Sequence, residues 1–215
     1  MSALIDLLVP PRCAGCDGPV ATSRVPFCRR CLAEAAKLAA PGQARLAEGV
    51  LAVGLYRYAG PVAAAVRAIK AGGRHAAAHG LGELMRTRLR LPAGVSVTWV
   101  PSSGRRLRQR GFDLPRLLAG PEALGLLSRI ADRPDQTTLD PASRRQSPWG
   151  SFAPLGPAPS VVVLVDDVRT TGATAAAAAA TLRSAGARRV LVATLAVAGA
   201  DSPTGGCRPG HVPLP

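Results

Sequence analysis

One stretch limits the folds open to this chain more than any other: Val161–Thr174, VVVLVDDVRTTGAT. Its first six residues are four valines, a leucine and an aspartate, an unbroken apolar run that ends in acid. A strand with one wet face would alternate. This run instead predicts a parallel strand, Val161–Asp166, covered on both faces. The chain then turns small and polar over Arg169, Thr170, Thr171, Gly172, Ala173 and Thr174, and Ala175–Ala180 opens a helix. Strand, short polar loop and helix start together form a seat for an oxyanion. Backbone N–H groups converge in the loop, and the helix start adds unpaired donors and the positive end of its dipole. The threonine hydroxyls are further donors, and Gly172 lets the backbone come close. Read alone, Asp166 and Asp167 are a solvated strand end with a helix cap. In front of this loop they become candidate functional carboxylates, suited to sugar hydroxyls or a magnesium-bound ligand. The loop lacks the lysine of GxxxxGK[ST] and the glycine spacing of a dinucleotide fold, so neither common nucleotide loop is present.

Four cysteines make the second constellation. Cys13-Ala-Gly-Cys16 and Cys28-Arg-Arg-Cys31 are two CxxC pairs separated by eleven residues. Each pair can turn two sulfurs onto one metal, and two such knuckles complete a tetrahedral S₄ site for structural Zn²⁺. The alternative, two disulfides, fits a secreted protein, and the start of the chain does not read as a secretion signal. Arg29 and Arg30, inside the second knuckle, either face phosphates or solubilise it. His75 and His79 have no acid or cysteine beside them and are not read as metal ligands.

Charge is lopsided, with 27 basic against 13 acidic residues, a net +14. Arginine supplies all of the basic side chains but Lys37 and Lys70. That excess fits phosphate-rich partners, whose oxygens match the guanidinium fork, and equally fits a compositional bias toward Ala, Pro and Arg. No stretch of eighteen apolar residues occurs, so the expectation is a cytoplasmic chain without membrane insertion. Aromatics make up only 3%, leaving the core to Ala, Val and Leu and offering few platforms for stacking bases.

The remaining segments read in order. Residues 1–9 suit a short amphipathic helical turn. Leu32–Ala40 predicts a helix stopped by Pro41-Gly42, and Val50–Tyr58 an edge strand or hairpin. Gly60–Ile69 predicts a helix with Pro61 in its first turn. Lys70-Ala-Gly-Gly-Arg74 breaks the pattern, as an anion-binding loop or a plain helix–helix joint. A helix follows to about Arg90, then a strand over Val95–Val100. Pro101–Arg116 reads as a basic loop carrying Arg105, Arg106, Arg108 and Arg110, with a helix over Leu114–Leu127 after it. Residues 128–160 have little regular pattern. Ala173–Ala185 predicts a helix closed by Gly186, and Arg188–Val197 a last strand. Residues 199–215 read as a disordered tail.

With these residues in hand, Val161–Thr174 resembles the ribose-5-phosphate-binding signature of type I phosphoribosyltransferases. From about Cys13 to Val197 the chain resembles the ComF family, competence-associated proteins that join an amino-terminal zinc ribbon to such a domain. Arg110-Gly111-Phe112 match that family's arginine-glycine-phenylalanine-asparagine motif, with Asp113 in place of the asparagine. Pro101-Ser102-Ser103 departs from its proline-containing loop. Gln136, Leu139, Arg144, Arg145 and Phe152 match a later segment.

The resemblance implies an α/β fold: a type I phosphoribosyltransferase-like parallel sheet flanked by helices, with a small Cys₄ ribbon. The divisions would be 1–44 for the ribbon module, 45–198 for the main domain and 199–215 for the tail. It implies that Asp166 and Asp167 hold the ribose hydroxyls and that Arg169–Thr174 grip the 5-phosphate. Lys70, Arg74, Arg105, Arg106, Arg108 and Arg110 would meet pyrophosphate, and Arg144 and Arg145 would reach in from a hood. Cys13, Cys16, Cys28 and Cys31 would hold zinc, and Mg²⁺ would accompany phosphoribosyl pyrophosphate. Two functions follow as expectations. One is an accessory role in handling single-stranded DNA during uptake or recombination, with a helicase or recombination protein as partner. The other is an active phosphoribosyltransferase acting on a small nucleophile.

Overall fold

The computed structural model describes residues 10–22, 24–72, 74–91, 94–130 and 150–199. The expected amphipathic turn at 1–9, the hood arginines Arg144 and Arg145, and the tail from 200 onward lie outside these residues. No helix among the described residues is long and apolar enough to cross a membrane.

A five-stranded sheet organises the chain, in the order β1-β2-β7-β6-β3. Its members are β1 (Ala39–Arg45), β2 (Leu51–Arg57), β3 (Ser96–Trp99), β6 (Val161–Arg169) and β7 (Arg189–Val197). β2, β7, β6 and β3 run parallel, and β1 closes one edge antiparallel to β2. A separate hairpin pairs β4 (Leu127–Arg129) with β5 (Phe152–Pro154). The helices are α1 (Arg29–Lys37), α2 (Gly60–Lys70), α3 (His75–Leu89), α4 (Gly104–Arg110), α5 (Leu114–Ala119) and α6 (Ala173–Ser184).

The uniform apolar run of β6 has the expected cause. Val163 and Val165 face one core, with residues of α2, α3, α5 and the cysteine module; Val162 and Leu164 face the other, under α6. Both faces being covered, a period of two leaves no polar position until the acids. On the second face α6 presents Ala175–Ala179, all buried, so the helix lies close to the sheet.

Several boundaries differ from expectation. Strand β6 continues three residues beyond Asp166 because its ladder with β7 does, through Asp166↔Thr194, Val168↔Ala196 and Arg169↔Val197. The carboxylates therefore stand inside the strand end. Pro41-Gly42 does not stop the chain: α1 ends at Lys37, and β1 runs through the proline with an irregularity between Ala39 and Gly42. An edge strand tolerates this because one side of its ladder needs no donor. With β1 at the edge, β2 is an interior strand. The division at residue 44 falls within β1, and Cys13, Phe27 and Cys31 share one buried core with Val163 and Leu195. The cysteine module is built into the main body of the fold. The basic segment after β3 is partly helical, with Ser103 capping α4 by accepting from the Arg106 N–H at 3.4 Å. The next helix, α5, stops at Ala119 because Pro121 disfavours helix in the residue before it, and Gly120 sits at φ 98.

Candidate functional site

The four parallel strands end on one side of the sheet, and a cleft of about 340 Å³ opens there. Every one of them contributes: Tyr58 follows β2, Val100–Ser102 follow β3, Asp166–Arg169 end β6 and Ala198 follows β7. In open parallel sheets a crevice forms beyond the carboxyl ends of the strands where connections diverge to the two faces, and this is the usual ligand site in such folds.

The floor is the β6–α6 turn. Gly172 stands at φ 79 as the cap of α6, and the Ala176 N–H reaches back to its carbonyl at 2.8 Å. The Thr171 Oγ1 accepts from the Ala173 N–H at 3.4 Å, tightening the turn. Residues Thr170–Ala175 all line the cleft, so the first turn of a twelve-residue helix, with its unpaired N–H groups, borders it. Leu46 packs beneath: a Cβ on residue 172 would come within 2.6 Å of Leu46 Cδ2. Gly172→Ala therefore adds a left-handed alanine and a clash, and should destabilise the fold by about 1–3 kcal/mol in urea melts. Made in a Leu46→Ala background, where the clash is absent, Gly172→Ala should cost only the backbone part; no added cost there would mean the backbone is unstrained.

The acids are not equivalent. Asp167 Oδ2 pairs with Lys70 Nζ at 2.7 Å, and its Oδ1 accepts the Val168 N–H at 2.6 Å. Asp166 Oδ1 accepts the Asp167 N–H at 2.8 Å. Burial first, and then the charge of Asp167, push the Asp166 carboxyl up to about 8. At neutral pH Asp166 is thus mostly protonated and offers a donor, while Asp167 remains tied to a cation.

Cations dominate the lining. Lys70, Arg106, Arg110, Arg129 and Arg169 face the cleft against the two carboxylates, so the net charge is +3 with both acids ionised. Such a cavity favours anions with several oxygens. Asp113 braces the wall: its carboxylate accepts from Ser102 N at 3.2 Å, Ser102 Oγ at 2.8 Å and Trp99 Nε1 at 3.1 Å. It fixes the turn that launches α4. Burial raises the Asp113 carboxyl as well.

Sequence reasoning placed Asp166, Asp167, Lys70, Arg106, Arg110 and Arg169–Thr174 in one site, and the fold brings them together. Arg105 and Arg108 share α4 but lie outside the cleft lining, on exposed positions. Arg74 is also elsewhere, bonded to the Cys13 carbonyl and the Asp17 carboxylate. Among the lining residues not assigned to the site from sequence are Tyr58 and Arg129. Tyr58 had a usable signal, since it directly follows a strand whose carboxyl end should face the ligand. Arg129 had none; it reaches the cleft from the β4–β5 hairpin, stacked on Phe152 at 5.2 Å and near the Pro101 carbonyl at 3.4 Å.

The cysteines form a second centre. The sulfurs of Cys13, Cys16, Cys28 and Cys31 all lie within 4.8 Å of one another, with Cys16 and Cys28 at 3.7 Å. Four sulfurs tetrahedral about zinc stand about 3.8 Å apart, so the donor set and spacing fit that ion. These four are free thiols, with no disulfide among the described residues. Cys28 caps α1, its sulfur accepting the Cys31 N–H at 3.5 Å, and that bond first lowers the thiol to about 7. Burial raises Cys31. The cluster can hold a metal ion such as zinc, with no ligand position left open for chemistry.

A scan against protein-family models gave no match, and neither did a search of curated proteins.

Proposed function

We propose that this chain is a phosphoribosyltransferase-like protein that binds phosphoribosyl pyrophosphate, or a related ribose 5-phosphate, in the carboxyl-edge cleft. The carrying observation is the convergence on one cavity of an acid-tipped strand, a Thr-Thr-Gly-Ala-Thr helix start and Lys70, Arg106 and Arg110. In this reading Thr170–Thr174 seat the 5-phosphate on backbone and hydroxyl donors. Asp166, neutral, donates to a ribose hydroxyl, and Asp167 accepts from the other. Lys70, Arg106 and Arg110 neutralise the pyrophosphate, and Arg129 closes the wall. Mg²⁺ would enter with the substrate and share its charge. The resemblance to the ComF family favours an accessory role in handling single-stranded DNA, in uptake or recombination. The +14 charge and the exposed arginines Arg29, Arg30, Arg105 and Arg108 support it.

The test is to titrate phosphoribosyl pyrophosphate and single-stranded DNA into metal-loaded protein, separately and in competition. Binding of the sugar phosphate should weaken about 10–100-fold in Arg106→Ala/Arg110→Ala, the loss of charge-assisted bonds, and stay within about 2-fold in Arg105→Ala/Arg108→Ala. Equal losses in both pairs would locate the ligand away from the cleft. DNA affinity should fall steeply with salt; a flat response removes the DNA reading.

The intact acidic pair favours a second reading, catalysis on a small nucleophile. As pyrophosphate leaves C1, positive charge grows on the ring and negative charge on the leaving group. Asp167 faces the first, and Lys70, Arg106 and Arg110 the second. Asp167→Asn should then abolish pyrophosphate release in a nucleophile screen; a screen with no release from the unmodified chain ends this reading.

A further inference from the structure

Arg74 faces away from the cleft and grips the first cysteine knuckle. Its Nη1 donates to the Cys13 carbonyl at 2.8 Å, and its Nη2 pairs with the Asp17 carboxylate. The same Cys13 carbonyl accepts the Asp17 N–H at 2.9 Å, the bond that closes the knuckle turn. Asp17 holds φ 64, a left-handed conformation that aspartate adopts more readily than most residues. Arg74 thus binds the turn that carries two of the four sulfurs.

The other end of α2 meets the same knuckle. Gly15 lies so close that a Cβ there would stand 2.9 Å from Pro61 Cβ and 3.1 Å from Cys31 Sγ. Pro61 is in the first turn of α2, Lys70 is its last residue, and Arg74 follows four positions later. A helix of three turns is stiff, so whatever fixes both of its flanks fixes the residue at its end. That residue is the cleft cation paired with the acids, its Nζ 2.7 Å from Asp167 Oδ2.

We propose that Arg74 is a positioning residue for Lys70: by clamping the metal-binding knuckle to the segment just past α2, it makes the cleft's hold on a polyphosphate depend on the knuckle. The inference rests on the anion-binding reading of the cleft and adds a second centre to it. Coupling of this kind is reciprocal, so an anion on Lys70 also steadies the knuckle.

The experiment uses the full metal-loaded chain and Mg²⁺–pyrophosphate as probe. Calorimetric affinities are taken for the unmodified chain, Arg74→Ala, Lys70→Ala and the double variant, with zinc content measured on each. Arg74→Ala should keep its zinc and bind pyrophosphate about 5–20-fold more weakly. The double variant should bind no more weakly than Lys70→Ala alone, because Arg74 acts only through Lys70. Additive losses would overturn the proposal. Arg74→Lys, which keeps one donor, should recover part of the affinity. Asp17→Asn, at an exposed carboxylate, replaces Arg74→Ala should that variant fail to fold, and is expected to lose affinity in the same direction.

Amide exchange separates this proposal from the reading beneath it. Ala71 and Gly72 donate to Arg67 and Ile69 carbonyls at 2.9 and 3.0 Å. Without ligand, Arg74→Ala should speed exchange at both amides while the β6–β7 ladder stays protected. If the unmodified chain binds no pyrophosphate but exchange responds, the clamp stands and the anion reading of the cleft fails. Unchanged exchange overturns the clamp whatever the affinities show.

Discussion

Cys31→Ser, or removal of the metal by a chelator, should melt the whole described fold in one transition and not detach a ribbon from an intact domain. The reason is burial. Cys13 is fully buried and Cys31 nearly so, and both sit in the cluster that holds Val53, Val163 and Leu195 of the central sheet. Phe27, between the knuckles, fills the same core, and a Cβ at Gly80 of α3 would stand 2.3 Å from the Arg24 carbonyl. An empty site leaves four thiols gathered without the ion that would bond them together, and burial disfavours the thiolate form of Cys31. Structural zinc contributes about 10–16 kcal/mol in isolated finger peptides. Even a third of that, about 4 kcal/mol, corresponds to a fall of about 8–16 °C in Tm at this chain length. Scanning calorimetry with and without chelator should give one cooperative peak at both states, shifted down. Two peaks, with the upper unmoved, would show that the module is independent after all.

What the sequence made legible was local. The strand, turn and helix around Gly172 follow from apolar run, turn chemistry and alanine content over fewer than thirty consecutive residues, and they fold in that order, with the strand longer than read. The paired CxxC knuckles are legible for the same reason. The pieces that escaped are set by partners far along the chain. Arg74 looked like a ligand residue because it follows Lys70-Ala-Gly-Gly, but its partner Asp17 is 57 residues away. Arg129 reaches the cleft only because β4 pairs with β5 across a long interval. Strand β6 gained three residues because β7 extends beside it, and β1 passes through Pro41 because it occupies an edge. The short α5 was a different failure: Gly120-Pro121 is a breaker visible in the sequence, outweighed there by the leucines around it.

Asp166→Asn should be more stable than the unmodified chain at pH 8 and nearly equal to it at pH 4. The folded carboxyl is raised by burial and then by Asp167, to about 8, while Lys70 and the Asp167 N–H work against the shift and Asp113 adds to it. In the unfolded chain the same carboxyl ionises near pH 4. Between these values the folded state holds a proton that the unfolded state has released, so stability falls as pH rises through the window. Asparagine keeps the shape and cannot ionise, which removes that slope. The difference between the two proteins should grow to on the order of 5 kcal/mol by pH 8, read from urea melts at fixed ionic strength. Taking the difference cancels the parallel contribution of Asp113, whose carboxyl is also raised. A constant difference from pH 4 to pH 8 would mean that Asp166 is ionised throughout. The cleft would then carry two negative charges beside Lys70, and Asp166 could accept from a sugar hydroxyl but never donate to one. The division of roles between the two acids, one a donor and one held to a cation, stands or falls on that slope.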